Sequence, residues 1–260
     1  METDKRQECN RFVPFGQSQP WLFAATLAIA LTSVFFGCSS SGNAPSNPDP
    51  PPDPQKSYTT NFSLAENPLS EGGRWINGGT AGLDWTNVQT VPGLVFGTQS
   101  GSQGYDDSTA VLAGTWSPNQ SVEATVHTAN QHGDPVFEEV ELRLRTTISS
   151  HKITGYEVNF RCTSDGSQYV QIVRWDGPLG RFTYVGATPG PGLHDGDTVK
   201  AVISGSEITV FINRTQVLQG SDSSFATGSP GIGFFLQGTT GVNRDFGFTS
   251  VIATSLDALN

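Results

Sequence analysis

The chain has 260 residues, with 30 glycines, 16 prolines and one methionine; 35% of it is hydrophobic and 15% charged. That balance sets aside a helical bundle or coiled coil and predicts an all-β protein of many short strands. A formal net charge of −10, with lysine only at positions 5, 56, 152 and 200, argues against a nucleic-acid partner and against adsorption to anionic lipid.

Lys5, Arg6 and Arg11 precede an apolar run from Trp21 to Phe36, WLFAATLAIALTSVFF. The run is short for a membrane span and suits the core of a signal peptide. It ends in FFGC, where Gly37-Cys38 resembles a bacterial lipobox, which implies cleavage before Cys38 and a lipid on its thiol. Phe35 and Phe36 depart from the leucine and small residue of that pattern, so an ordinary signal peptide or an uncleaved anchor stays open. Residues 38–57, dense in Ser, Pro and Asp, read as an extended tether reaching about 40–60 Å at roughly 3 Å per residue. Ser39 is not the aspartate that holds some lipoproteins at the inner membrane, which favours the outer membrane or cell surface. The expected organisation is a signal peptide over 1–37, a tether over 38–57 and one β-domain over 58–260. Cys9 would leave with the signal, Cys38 would carry the lipid, and Cys162 sits alone in an apolar strand, so no disulfide is expected.

Within the domain, period-two alternation marks strands from Tyr58 to Leu64, Leu94 to Thr98, Ser108 to Trp116 and Ser121 to Ala129. Trp75 and Trp85 flank a glycine-rich loop, RWINGGTAGLDW; Trp75 reads as a core anchor, and Trp85 equally as core or as a sugar-stacking ring. In Phe137 to Ile148, FEEVELRLRTTI, one face carries Val140, Leu142 and Leu144 and the other Glu139, Glu141, Arg143 and Arg145. Tyr156 to Cys162 repeats the design, with Glu157, Asn159 and Arg161 outward. Tyr169 to Trp175 sets Val170, Ile172 and Arg174 against Tyr169, Gln171, Val173 and Trp175. If the three strands are neighbours, they offer either a hydrogen-bonding face for a saccharide or a solvated face of cross-strand ion pairs.

RFTYVGAT partners the preceding strand, and the stretch from Gly196 to Phe235 then reads as three short strands, two tight turns and a strand beginning SPGIGFF. Gly205-Ser206 fits a two-residue hairpin turn. Asn213-Arg214 occupies a second, where a positive φ at arginine costs about 1 kcal/mol. A last strand from Asp245 to Thr254 closes the domain, with no helix longer than a turn.

The arrangement GDTVKAVISGSEITVFIN followed by DSSFATGSPGIGFF resembles the concanavalin A-like lectin/glucanase (laminin-G-like) superfamily, closely over 196–235 and more loosely from about 58 to 256. The resemblance implies a two-sheet antiparallel jelly-roll sandwich whose concave face holds ligand in sugar-binding and catalytic members. On that reading Glu141, Arg143, Arg145, Asn159, Arg161, Arg174, Trp175 and Trp85 are the candidate glycan-binding residues. Superfamily glucanases carry E-x-D-x-(x)-E on one strand, and the Glu138, Glu139, Glu141 cluster lacks the aspartate. EVELRLR faintly resembles the R-x-E-x-R strand of jelly-roll lyases, but QIV at Gln171 has valine where those have histidine. No catalytic residues are assigned, and no cofactor is expected beyond calcium, which the superfamily often binds; Asp195, Asp197 and Asp222 are its candidates, or caps of turn amides. The expected function is a surface-anchored lipoprotein with a non-catalytic carbohydrate-binding or adhesion domain. The alternatives are a polysaccharide lyase or glycosidase, and a purely structural envelope domain.

Overall fold

The computed structural model describes residues 56–256 apart from 103 and 239, so the expected signal peptide, Cys38 and most of the tether lie outside the described residues. Fifteen strands are described: β1 (Ser57–Thr60), β2 (Trp75–Asn77), β3 (Gln89–Val91), β4 (Leu94–Phe96), β5 (Ser108–Leu112), β6 (Gln120–Thr128), β7 (Phe137–Ser149), β8 (Lys152–Arg161), β9 (Val170–Gly177), β10 (Phe182–Thr188), β11 (Thr198–Ser204), β12 (Glu207–Ile212), β13 (Thr215–Ser221), β14 (Ser229–Gln237) and β15 (Phe246–Ser255). One sheet runs β13-β12-β11-β6-β15-β4-β3, with β1 also on β15; the other runs β10-β9-β8-β7-β14-β5-β2. Every described pairing between strands is antiparallel. The all-β class expected from composition and the two-sheet antiparallel sandwich implied by the resemblance are what form. Ser57, assigned to the tether, already pairs with Thr254 in β1.

Strand β2 forms around Trp75, the expected core anchor of an early strand, whereas β3 carries too few residues to show a period. Among the described residues the one helical element is the 3-10 turn Asn243–Asp245.

The inward stripes of the two sheets make one core. Val122, Ala124 and Val126 of β6 and Val199, Ala201 and Ile203 of β11 meet Val140, Leu142, Leu144, Val158 and Phe160 of β7 and β8. Phe234 of β14 packs on Phe246 and Phe248 of β15, with ring centroids 6.5 and 5.4 Å away. Cys162 is a free, fully buried member of this core, and burial pushes its thiol pKa up. Trp75 is likewise core, and its Nε1 donates to Glu71 Oε2 at 2.9 Å.

The two tight turns form where expected. Gly205 has φ 57°, and Asn213 and Arg214 have φ 49° and 67°, the mirror-image geometry that suits a hairpin's twist. Asn213 belongs there because its Oδ1 accepts the Thr198 N–H at 2.9 Å. Arg214 has no such compensation, so Arg214→Gly is expected to raise the unfolding free energy by up to about 1 kcal/mol, read from urea denaturation.

Candidate functional site

The outward stripes of β7 and β8 do not face water. Strands β7 and β8 are buried along nearly their whole length on both faces, unlike β11, whose burial alternates. Arg143 and Glu141 are fully buried, and Asp107, Glu157, Asn159 and Arg161 are at most 6% exposed. Both the groove and the solvated face are therefore replaced by a closed charge cluster.

Strand register assembles it. Arg143 lies opposite Glu157 on β8, and Glu141 opposite Asn159. On the other side of β7, the same two residues lie opposite Gly231 and Gly233 of β14. The glycines explain the SPGIGFF spelling. A Cβ at Gly233 would meet the Glu141 carboxylate and come 2.8 Å from Arg143 Nη2. With that lane clear, Arg143 Nη2 donates to Glu141 and, at 3.3 Å, to Asp107 Oδ2 at the start of β5, while Nη1 donates to Glu157 Oε2 at 2.5 Å. Trp175 Nε1 donates to the same Glu157 oxygen at 2.5 Å, and Asn159 Nδ2 to its other oxygen at 3.2 Å.

Loop 78–87 and the described residues of 99–107 close over this face. Trp85 lies with its ring 5.0 Å from the Arg143 guanidinium and packs edge-on against Trp175 at 4.6 Å. The first loop is tied down where the His151 N–H donates to Gly82 O at 2.9 Å. The second is tied to β14, where Gln99 Oε1 accepts the Leu236 N–H at 2.9 Å. Leu83, Trp85, Ile153, Val173 and Trp175 form a second, smaller core above the sheet, with Phe182 against it. Sequence periodicity could not reveal this core, since its members come from a loop and from the polar-facing stripe.

One guanidinium cannot neutralise three buried carboxylates. Burial, followed by the charge of neighbouring carboxylates, pushes the Asp107 and Glu141 pKa values well up, against the pull of Arg143. Burial works against the Arg143 charge too, but Glu141, Glu157 and Asp107 outweigh it and raise its pKa. Glu139 accepts from the Tyr169 hydroxyl, and burial pushes its pKa up to about 7. Glu141 Oε1, Arg143 Nε, Asn159 Oδ1 and Thr109 Oγ1 find no hydrogen-bond partner. The three convergent carboxylates Asp107, Glu141 and Glu157 could in principle hold a cation, but Arg143 already bonds to all three.

Three sequence candidates lie elsewhere or act differently. Arg161 donates to Asp134 Oδ1 and Val136 O at 2.7 Å and to Ser167 O at 2.8 Å, pinning two loops. Arg145, expected on the polar face, is turned off it by a bulge between Leu144 and Thr147, where its φ is 46°. Its guanidinium donates to Pro118 O, Phe225 O and Gly205 O at 2.7–3.0 Å. Arg174 projects from the opposite face of β9 to Trp175 and bonds Asp222 Oδ2 at 2.6 Å and Asp176 Oδ1 at 2.7 Å.

The aspartates named for calcium accept hydrogen bonds from backbone amides. Asp195 accepts from the Thr128 N–H at 3.0 Å and Asp197 from the His194 N–H at 2.8 Å. Asp222 accepts from Tyr156 and from the Ser224 N–H; burial opposes its charge, but these bonds and Arg174 hold its pKa at about 2.

One stretch of this face does reach solvent. On edge strand β10, Phe182 and Tyr184 lie opposite Trp175 and Val173, hence on the same face. Phe182 stands 5.2 Å from Trp175, 5.3 Å from Tyr105 and 5.4 Å from Tyr184, and Tyr105 and Tyr184 are 36% and 49% exposed. Tyr105, with Asp106 and Asp107 in the QSGSQGYDD loop, reads from sequence as a rim feature, whereas Phe182 and Tyr184 carry no such sign, because a ridge shared by a loop and an edge strand has no linear signature.

Two measurements test the cluster. Arg143→Met is expected to cost about 3–5 kcal/mol at neutral pH by stranding buried carboxylates, and less in acid where they are protonated, read from urea denaturation. Glu139 is protonated in both states below its ordinary 4.5, and its contribution fades as pH rises toward about 7, where the unfolded chain ionises first. Stability should accordingly fall between pH 4.5 and 7, with about 3 kcal/mol of that fall absent in Glu139→Gln.

No protein-family model matches the sequence, and no curated protein matches it. Solved structures do match. The potassium-bound carbohydrate recognition domain of Emp46p aligns at TM-score 0.53 and 13% identity over 77% of this chain and 96% of that one. The GlcNAcα1-4Gal releasing endo-β-galactosidase from Clostridium perfringens aligns at 0.51 and 8% identity over 83% of this chain and 66% of that one. The carbohydrate binding module CBM66 from Bacillus subtilis aligns at 0.47 and 14% over 72% and 95%. At these identities the likeness concerns fold alone, and the fold is the concanavalin A-like jelly roll.

Proposed function

We propose that this protein binds saccharides without cleaving them, using the aromatic ridge of Tyr105, Phe182 and Tyr184, and that it is held to the cell envelope by a lipid on Cys38. The ridge carries the reading: aromatic rings in mutual contact, partly open to water, line one border of a sheet face. Sugar rings present apolar C–H faces that pack on such surfaces. Glu141, Arg143, Asn159 and Trp85 act below the ridge in this proposal, fixing Trp175 and through it Phe182. A saccharide as ligand class is supported by same-fold structures above TM-score 0.5 that include a carbohydrate recognition domain and an endo-β-galactosidase. The non-catalytic part rests on the burial of the carboxylates and their engagement by Arg143.

A glycosidase is the second reading, favoured by one observation: Asp107, Glu141 and Glu157 present oxygens within 4.8 Å of one another, near the spacing of about 5 Å at which two carboxyls act as nucleophile and acid. It requires both covering loops to leave the face. New reducing ends from β-glucans, abolished in Glu141→Gln, would establish it in place of the binding reading.

On a glycan array, the protein is expected to retain at least one saccharide, and Tyr184→Ala to weaken that binding about tenfold, the worth of one stacked ring. Equal retention by Tyr184→Ala would remove the ridge from the binding reading. Metabolic labelling with a palmitate analogue should mark the protein and fail to mark Cys38→Ser; persistent label on that variant would refute the anchor.

A further inference from the structure

A cavity of about 290 Å³ opens at the far end of the same sheet, beside β2 and β5, bounded by Lys56, Tyr58, Arg74, Leu112 and Trp116. Its charge runs against that of the chain. The net charge is −10, yet the described residues lining this cavity include two cations and no carboxylate. Each cation rests on an aromatic ring: Lys56 Nζ lies 4.1 Å from the Trp116 centroid, and the Arg74 guanidinium 5.7 Å from that of Tyr58. Ring faces of this kind hold a cation in place without neutralising it.

Neither cation is used up by the fold. Lys56 Nζ makes one hydrogen bond, to Thr115 O at 2.8 Å, which leaves two of its N–H groups. The Arg74 side chain makes no hydrogen bond or ion pair with any described residue, so its whole donor fork is available. Glu71, the carboxylate bonded to the Tyr58 hydroxyl, does not line the cavity; its oxygens are taken by Tyr58, Thr60 and Trp75. Gly114, at φ 84°, leaves room for Lys56, since a Cβ there would come 3.3 Å from its Nζ.

We infer that this cavity is a second binding site, for an anionic sugar unit, with the carboxylate of a uronate residue held between Arg74 and Lys56. Arginine and carboxylate match as planar forks, and lysine adds a point charge. Leu112 supplies apolar wall for the ring. The saccharide identity rests on the binding function proposed above, whereas the anion selectivity rests on this cavity alone.

Isothermal titration of the full chain with glucuronic acid, glucose and acetate tests it. Glucuronic acid is expected to bind and glucose to bind at least tenfold more weakly. Arg74→Ala and Lys56→Ala, both exposed positions, should each weaken glucuronic acid roughly tenfold by removing a charged partner. Tyr184→Ala should leave this binding intact. Equal affinity for glucose, no heat with glucuronic acid, or unchanged affinity in Arg74→Ala would overturn the inference while leaving the aromatic ridge standing. Acetate binding as tightly as glucuronic acid would overturn the sugar and reduce the site to a carboxylate trap.

Discussion

A guanidinium with no access to water sits near the middle of the seven-stranded sheet, and much of the domain is arranged to make that tolerable. Removing such an ion from water costs several kcal/mol even after relaxation, and the cost is offset only by close, well-aligned partners. Arg143 has three of them: Asp107 just before β5, Glu141 on β7 and Glu157 on β8. Gly233 of β14 keeps the lane beside Glu141 and Arg143 clear, and Gly231 lets β14 approach the backbone of β5. Trp85 lies against the guanidinium, and Trp175 satisfies the carboxylate that Arg143 shares. The excess of acid over base shows in Asp107 and Glu141, whose pKa values burial and the neighbouring carboxylates push up.

This arrangement decides where a ligand can act. A face lined with arginine, glutamate and tryptophan looks like a sugar site in one dimension. In three dimensions its polar groups face one another, and the openings lie at the borders of the sheet. The aromatic ridge stands on β10 at one edge, and the cationic cavity lies beside β2 and β5 at the other.

Two other arginines do comparable work between the sheets. Arg145 bonds three carbonyls from separate loops, including the β11–β12 turn, so a side chain of β7 fastens the opposite sheet. Arg174 reaches Asp222 after β13, and Asp222 also accepts from Tyr156 of β8. Both bonds cross-link the two sheets, alongside Gln120 of β6, whose Oε1 accepts the Arg145 N–H of β7 at 3.0 Å. Both residues resemble ligand contacts in sequence; for Arg145 alternation records only parity, and the bulge after Leu144 reverses it.

The amino-acid sequence by itself determined the all-β class, the inward stripes of the long strands, the two positive-φ turns and the two-sheet resemblance carried by Gly196 to Phe235. Those features depend on period, on turn chemistry and on a spelled-out local pattern, all readable within a dozen residues. It also placed Glu141, Arg143, Glu157 and Asn159 on one face of adjacent strands. Only the tertiary structure decided that this face is closed, because closure depends on loops 78–87 and 99–107, which are joined to it by nothing local. The same holds for Asp107, 36 residues from Arg143 in the chain, and for the ridge and the cavity, whose residues meet only when the sandwich is folded.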